Sequence, residues 1–359
     1  MKKEKLHNKL IFGLVAFLFV VCCLGFLYNY LQLKQVAPQN ISDRLKELEQ
    51  KFGGDCTRRA IDGLCFEGEQ PALFSVMIDN HVAARPQAGL SKASLVYETV
   101  VEAPITRFLA IFYASELPDK IGPIRSARPF FVDWAKEFNA SYAHVGGSNQ
   151  ALDLLAKSYN FDLNEMSNAE YFFRDKKLFA PHNTFTSGEL LKQATIDKQW
   201  QISPVTARWQ FTEKPNITDQ TSADFVKIKF GDLNAFVEWQ YDSKTNDYLR
   251  YQSKAIHKDA EGNEIRAKNI IVMKTDSVTI DNYGRLKTTT IGAGLAQVFH
   301  NGIMRVATWK RDKIEDPTKF YADNGKEISF LPGTTWIEVV SNYLPDIEVG
   351  SFVPLNDKK

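Results

Sequence analysis

The rhythm of hydrophobic and polar positions changes three times along the chain, and each change marks a different kind of structure. Leu10 to Tyr28 (LIFGLVAFLFVVCCLGFLY) carries no charge. As a helix it would rise roughly 28 Å, close to the hydrocarbon thickness of a bilayer. Lys2, Lys3, Lys5 and Lys9 stand before it, and such a positive flank stays in the cytoplasm while the body goes outside. The reading is a cytoplasmic tail over 1–9, a single transmembrane anchor over 10–31, and a linker with a stalk helix over 32–55. Ser42 caps that stalk (SDRLKELEQKF), and Gly53 and Gly54 stop it. A cleaved signal peptide is the first rival, but its apolar core would be shorter, about 7–15 residues, and no A-x-A-like site follows. Lipidation at Cys22 or Cys23 is the second. It wants a small residue before the cysteine, where Val21 and Cys22 stand.

Over 56–199 apolar runs alternate with helical spacing. PALFSVMID, SLVYETVVE and ITRFLAIFYA read as strands, the last two joined by a turn at Glu102-Ala-Pro-Ile105. FFVDWAKEF, led by Ser126 and Pro129, has helical spacing; SYAHVGG is a short strand; SNQALDLLAKSY, capped by Ser148, and TSGELLKQATID are further helices. This order implies an α/β or α+β mixed-sheet first domain. Over 200–345 the runs shorten (AFVEWQY, DYLRYQ, KNIIVMK). Turn signals recur at Asp-Ser-Lys-Thr-Asn, His300-Asn-Gly and Pro332-Gly. That pattern predicts a mainly antiparallel β second domain, followed by a tail over 346–359.

Composition narrows the classes of function. In 359 residues, 44 Lys and Arg balance 43 Asp and Glu, and outside the extreme N-terminus no basic run exists, so nucleic acid is not an expected partner. Cys56 and Cys65 enclose CTRRAIDGLC; in an oxidising compartment a disulfide there would contribute roughly 2.5–3 kcal/mol on the chain-entropy model.

Polar residues that a core does not need gather where strands meet loops in the first domain. They are Asp79, Asn80 and His81 with Arg85; Glu98 and Glu102 with Arg107; Arg125, Ser126 and Arg128; His144, Gly146 and Gly147; and His182 with Asn183. Arginines and glycines at helix starts suit an anion such as phosphate or carboxylate. The plainer alternative is that these arginines pair with Asp79, Glu98 or Glu102 and hold loops together. Glu98 and Glu102, four apart on one strand, would share a face about 13 Å apart, too far for a glycosidase pair. No close-spaced metal motif and no G-x-S-x-G occur, so neither a metal nor another cofactor is expected. Trp309, Phe320, Tyr321 and Trp336 would either stack on sugar rings or fill a small β core.

VMIDNHVAARPQAGLSKASLVYETVVEAPITRFLAIF, IGPIRSARPFF, YAHVGGSNQA and APHN together resemble the bacterial YerB-like family, and NGIMRVATWKR, DPTKFYADNGKEI and LPGTTWIEV resemble its C-terminal domain. The resemblance covers roughly 56 to 340 and implies a two-part protein of the bacterial envelope, α/β then β-rich. Several relatives are lipoproteins, and a spanning helix would depart from them. The leading expectation is a non-enzymatic envelope protein. Its first domain would bind an anionic ligand, a cell-wall glycan or an envelope protein. The competing expectation is a hydrolase of envelope polysaccharide or a phosphodiester, with Asp79, Glu102 or His144 as acid/base.

Overall fold

LFSVMID, LVYETVVE and ITRFLAIFY are apolar at odd and even positions alike, which suits strands covered on both faces. The computed structural model describes residues 56–102, 105–214, 221–230, 236–343 and 347–350. The expected anchor and stalk helix lie outside the described residues. Among the described residues, no helix is long and apolar enough to cross a membrane. Arg58–Lys359 form one compact unit.

The first half supplies β1 (Leu73–Asp79), β2 (Leu95–Glu102), β3 (Ile105–Tyr113), β4 (Ser141–His144) and β5 (Asp162–Asn164). Its helices are α1 (Pro129–Glu137), α2 (Asn149–Ser158) and α3 (Gly188–Asp197). The second half supplies β6 (Thr221–Ser222), β7 (Phe225–Lys229), β8 (Phe236–Asp242), β9 (Asp247–Gln252), β10 (Ala255–Ile256) and β11 (Arg266–Ala267). It continues with β12 (Asn269–Thr275), β13 (Gly292–His300), β14 (Ile303–Arg311), β15 (Lys319–Tyr321), β16 (Thr335–Ser341) and β17 (Glu348–Gly350). The mixed first part and the β-rich second part are both as expected.

An 11-stranded sheet runs β15-β14-β13-β12-β16-β2-β3-β1-β4-β5, with β6 on β14. Strand β16 lies parallel to both β12 and β2, so the second half completes the first half's sheet and the change of texture near residue 200 is no break in it. β1 pairs antiparallel with β3 and parallel with β4, and β4 pairs parallel with β5. A second sheet runs β10-β9-β8-β7-β17, with β11 on β9. Asn301 and Gly302, at φ 55° and 69°, make the two-residue turn between β13 and β14, where His300 faces Ile303. Two consecutive positive φ values twist the hairpin as its strands require.

Side chains alternate across the large sheet and feed two cores. Tyr97, Leu109, Ile111, Ile271 and Ile337 pack with Phe131 and Trp134 of α1. Val96, Phe108, Phe112, Ile270 and Trp336 pack with Val226, Val237 and Trp239 of the second sheet. Trp309, Phe320 and Trp336 are buried, so they fill core rather than offer a surface to sugars. Cys56 and Cys65 are disulfide-bonded, as their spacing predicts.

Two buried arginines tie the halves together, one on each face. Arg250 on β9 donates through Nη2 to Glu98 Oε2 at 2.6 Å, and both side chains are fully buried. Arg311 on β14 lies 3.6 Å from Glu137 of α1 and donates to the Asp133 carbonyl at 2.8 Å. Removing one partner of such a pair strands the other charge. Arg250→Ala is expected to cost about 3–5 kcal/mol, read as a lower urea midpoint, while an exposed control, Lys254→Ala, leaves it unchanged.

A second expectation concerns acid. Burial, with Arg305 nearby, pushes His300 down to about 4, so the folded protein keeps this ring neutral. The folded value lies below the unfolded one near 6.5. Stability is therefore full above pH 6.5 and falls as the pH drops towards 4, by up to about 3 kcal/mol. Thermal unfolding of His300→Gln over that window should be less acid-sensitive than wild type; identical slopes would refute the assignment.

Candidate functional site

The parallel strands β1, β4 and β5 end at one edge of the sheet, at Asp79, His144 and Asn164, and two helices begin beside them. Arg128 occupies the N-cap of α1 with Pro129 at its first position, while Ser148 caps α2 by accepting the Ala151 N–H. Backbone bonds weld these starts together: Ala127 N–H to Gly146 O at 3.0 Å, Val145 N–H to Arg125 O at 3.1 Å. Gly146 sits at φ 59°, a conformation that a residue with a side chain rarely adopts, and its N–H reaches Asn164 Oδ1 at 2.9 Å. In open α/β sheets the carboxyl edge is where ligands bind.

Charge concentrates at this edge. Asp79 is buried, yet its carboxylate is crowded with donors. Oδ1 accepts the His81 N–H at 2.9 Å, and Oδ2 faces His182 Nδ1 at 2.6 Å and Arg125 Nε at 3.2 Å. The hairpin Phe173–Arg174/Thr184–Phe185 brings His182 back from far along the chain, and its ring stacks on His81 with centroids 4.6 Å apart. Arg107, paired in register with Asp79, is buried and donates to the Ser126 carbonyl at 2.9 Å. Burial, with Arg128 and Arg125 alongside, pushes its guanidinium down to about 10. Arg128 forms an ion pair with Glu102. The Nε atoms of Arg107, Arg125 and Arg128 are all buried without a hydrogen-bond partner.

Several residues expected at the site lie elsewhere. Glu98 is fully buried, held by Arg250, by Thr106 Oγ1 at 2.7 Å and by Asn80 Nδ2 at 3.2 Å. Asn80 points into that same core network and also accepts from Gln87, Gln252 and Arg85. Arg85 is spent on Asn80, donating to its carbonyl at 2.8 Å, and on Ser253. Glu98 and Glu102 do not act together; a register shift falls between Val100 and Glu102, and they hold different arginines. His144 is fully buried, with Nδ1 on the Gly146 carbonyl at 2.6 Å and Nε2 on Asp162 at 2.7 Å, so it braces the Gly146-Gly147 turn and has no nitrogen left for a substrate. Asn183 shapes the hairpin loop through Asp175 and Leu178. Asp79, His81, Glu102, Arg107, Arg125, Ser126, Arg128, Gly146, Gly147 and His182 remain near the edge. Among the described residues, no group of three or more His, Cys, Asp or Glu is placed to hold a metal ion.

Sequence reasoning overlooked the partners that decide these roles. Arg250 donates to His257 Nδ1 at 2.6 Å, and His257 Nε2 donates to Gln87 at 2.9 Å; burial and Arg250 hold His257 neutral, well below its usual range. Glu338 lies in register with Glu98 and accepts from Trp239 Nε1 at 2.8 Å. Burial, then the Glu98 charge, push it well above the carboxylate range, so it is a neutral acid. The signal was present: Glu338 occupies a core-phase position in the apolar strand TWIEVVS, and Arg250 follows Tyr248 in the buried phase of the alternating strand DYLRYQ. Asp162 and Asn164 gave no such sign.

Fold and edge together define an α/β protein whose sheet is completed by a β-rich second half. Residues 65–201 match the family described as protein of unknown function (DUF3048), N-terminal domain, and residues 226–337 match its C-terminal domain. The chain belongs to this family. It is 31% identical over 342 residues to the Bacillus subtilis (strain 168) protein YerB, named as a candidate lipoprotein, covering 92% of this chain and 96% of that one. The crystal structure of Bacillus subtilis YerB superimposes with a TM-score of 0.73 at 30% identity, covering 82% of this chain and all of the other.

Asp162→Ala leaves the buried Nε2 of His144 without its acceptor. A loss of about 1–3 kcal/mol is expected in denaturant titration, and Asp162→Asn, which keeps an acceptor oxygen, should restore part of it.

Proposed function

We propose that this is a membrane-tethered protein of the bacterial envelope whose body works outside the cytoplasm and binds an anionic, phosphate- or carboxylate-bearing ligand at the carboxyl edge. The lysine-flanked apolar run, the disulfide-bonded Cys56 and Cys65, and the relative named as a candidate lipoprotein support the location. One observation carries the ligand reading. Buried Arg107 sits among like charges, Arg128 and Arg125, with Asp79 and Glu102 opposing them. Three guanidiniums against two carboxylates leave an excess of positive charge that a bound anion neutralises. Arg125 makes no side-chain hydrogen bond among the described residues and is 22% exposed, so its fork is available to a ligand. A carbohydrate reading loses support because Trp309, Phe320 and Trp336, three of the four aromatic residues proposed to stack on sugars, are buried.

Calorimetric titration of the full-length chain with inorganic phosphate and with a polyol-phosphate polymer tests this. Arg125→Ala should weaken binding roughly tenfold to a hundredfold, the value of one or two charge-assisted hydrogen bonds, and added salt should weaken it further. Absence of binding to either probe at low salt would falsify the reading.

A further inference from the structure

We propose that His182 is the proton-transfer residue of a phosphodiester-hydrolysing centre, with Asp79 positioning it; the proposal rests on the anion-binding reading above. The imidazole is held as a base must be held. Asp79 Oδ2 accepts from His182 Nδ1 at 2.6 Å, so in the neutral ring the proton sits on Nδ1 and the lone pair lies on Nε2. No hydrogen bond occupies that Nε2 among the described residues, and the side chain is 16% exposed, so the ring meets solvent. His81 fixes the ring plane by parallel stacking, and is itself fixed because its Nδ1 accepts the Ala83 N–H at 3.1 Å. His144, the other histidine at this edge, has both nitrogens engaged and cannot share the role.

The same Asp79 oxygen that holds His182 also faces Arg125 Nε at 3.2 Å, so a base and a guanidinium flank one carboxylate. This juxtaposition selects the chemistry. A neutral ester develops charge on a single oxygen and needs one or two donors. A phosphodiester arrives as an anion and gains charge on its non-bridging oxygens in the transition state. The excess positive charge from Arg107, Arg125 and Arg128 matches that demand. In the step, water attacks phosphorus. The oxygen–phosphorus bond forms as the phosphorus–oxygen bond to the leaving alcohol breaks, and His182 Nε2 takes the water's proton. The leaving alkoxide takes a proton from solvent, and His182 returns its own to solvent; the products are a phosphomonoester and an alcohol.

The test uses the full-length chain with bis(4-nitrophenyl) phosphate in the presence of EDTA, scored beside phosphate binding by calorimetry. The expected result is turnover that falls roughly 10²–10⁴-fold in His182→Ala, with phosphate binding retained and activity returned by added imidazole. Asp79→Asn should lower kcat while KM stays within about twofold. Wild type that binds phosphate but hydrolyses no more diester than His182→Ala overturns this proposal and leaves the binding reading standing. A loss of activity that imidazole does not restore makes His182 a scaffold residue and also overturns it. A wild type that neither binds phosphate nor cleaves the diester removes both.

Discussion

The ion pair between Arg250 and Glu98 is the contact on which the rest of the molecule depends. Two charges taken entirely out of water cost several kcal/mol each unless every donor and lone pair is met. Here most are. Arg250 reaches Glu98 and His257, and its guanidinium lies 5.1–5.8 Å from the rings of Phe108, Trp239 and Trp336. Glu98 also accepts from Asn80 and Thr106, while its neighbour Glu338 escapes repulsion by staying protonated. The pair is satisfied only when β9 of the small sheet stands over β2 of the large one, so it specifies how the second half docks.

That network also builds the edge site, because Asp79 and Asn80 belong to different environments. Asn80 turns into the Glu98 network, where Gln87, Gln252 and Arg85 converge on it. Asp79 faces Arg125 and His182. Its backbone carbonyl is held meanwhile by Gln87 Nε2 at 3.0 Å, and Gln87 is held by His257. A continuous chain of hydrogen bonds thus leads from the Arg250 guanidinium to the backbone carbonyl of Asp79 at the sheet's edge, and it passes through residues from both halves. The charged edge is braced by the hydrogen bonds beneath it. Preorganised donors in a partly dry setting are what anion recognition requires, since they need no rearrangement when the ligand arrives.

Much of this was legible from local pattern. The two-faced apolar runs gave β1, β2 and β3, helical spacing gave α1 and α3, the Ser148 cap and helical spacing gave α2, and Asn301-Gly302 gave its hairpin, because each depends on short-range sterics and on side-chain period. The candidate residues were read from strand ends, and the disulfide followed from spacing and compartment. Which of those residues face outward was not legible. Glu98 and Glu102 look alike in SLVYETVVE, and His144 and His182 look alike as histidines in loops.

The amino-acid order alone indicated the longer strands and helices, the Ser148 cap and the crowding of arginines and carboxylates near strand ends, since those follow from neighbours a few residues apart. The fold decided the roles: a partner 152 residues away turned Glu98 into core, Asp162 locked His144, and a returning hairpin set His182 on Asp79. The physical reason is that an ionisable side chain takes its charge and its freedom from whatever surrounds it in space, and those surroundings are assembled from distant segments.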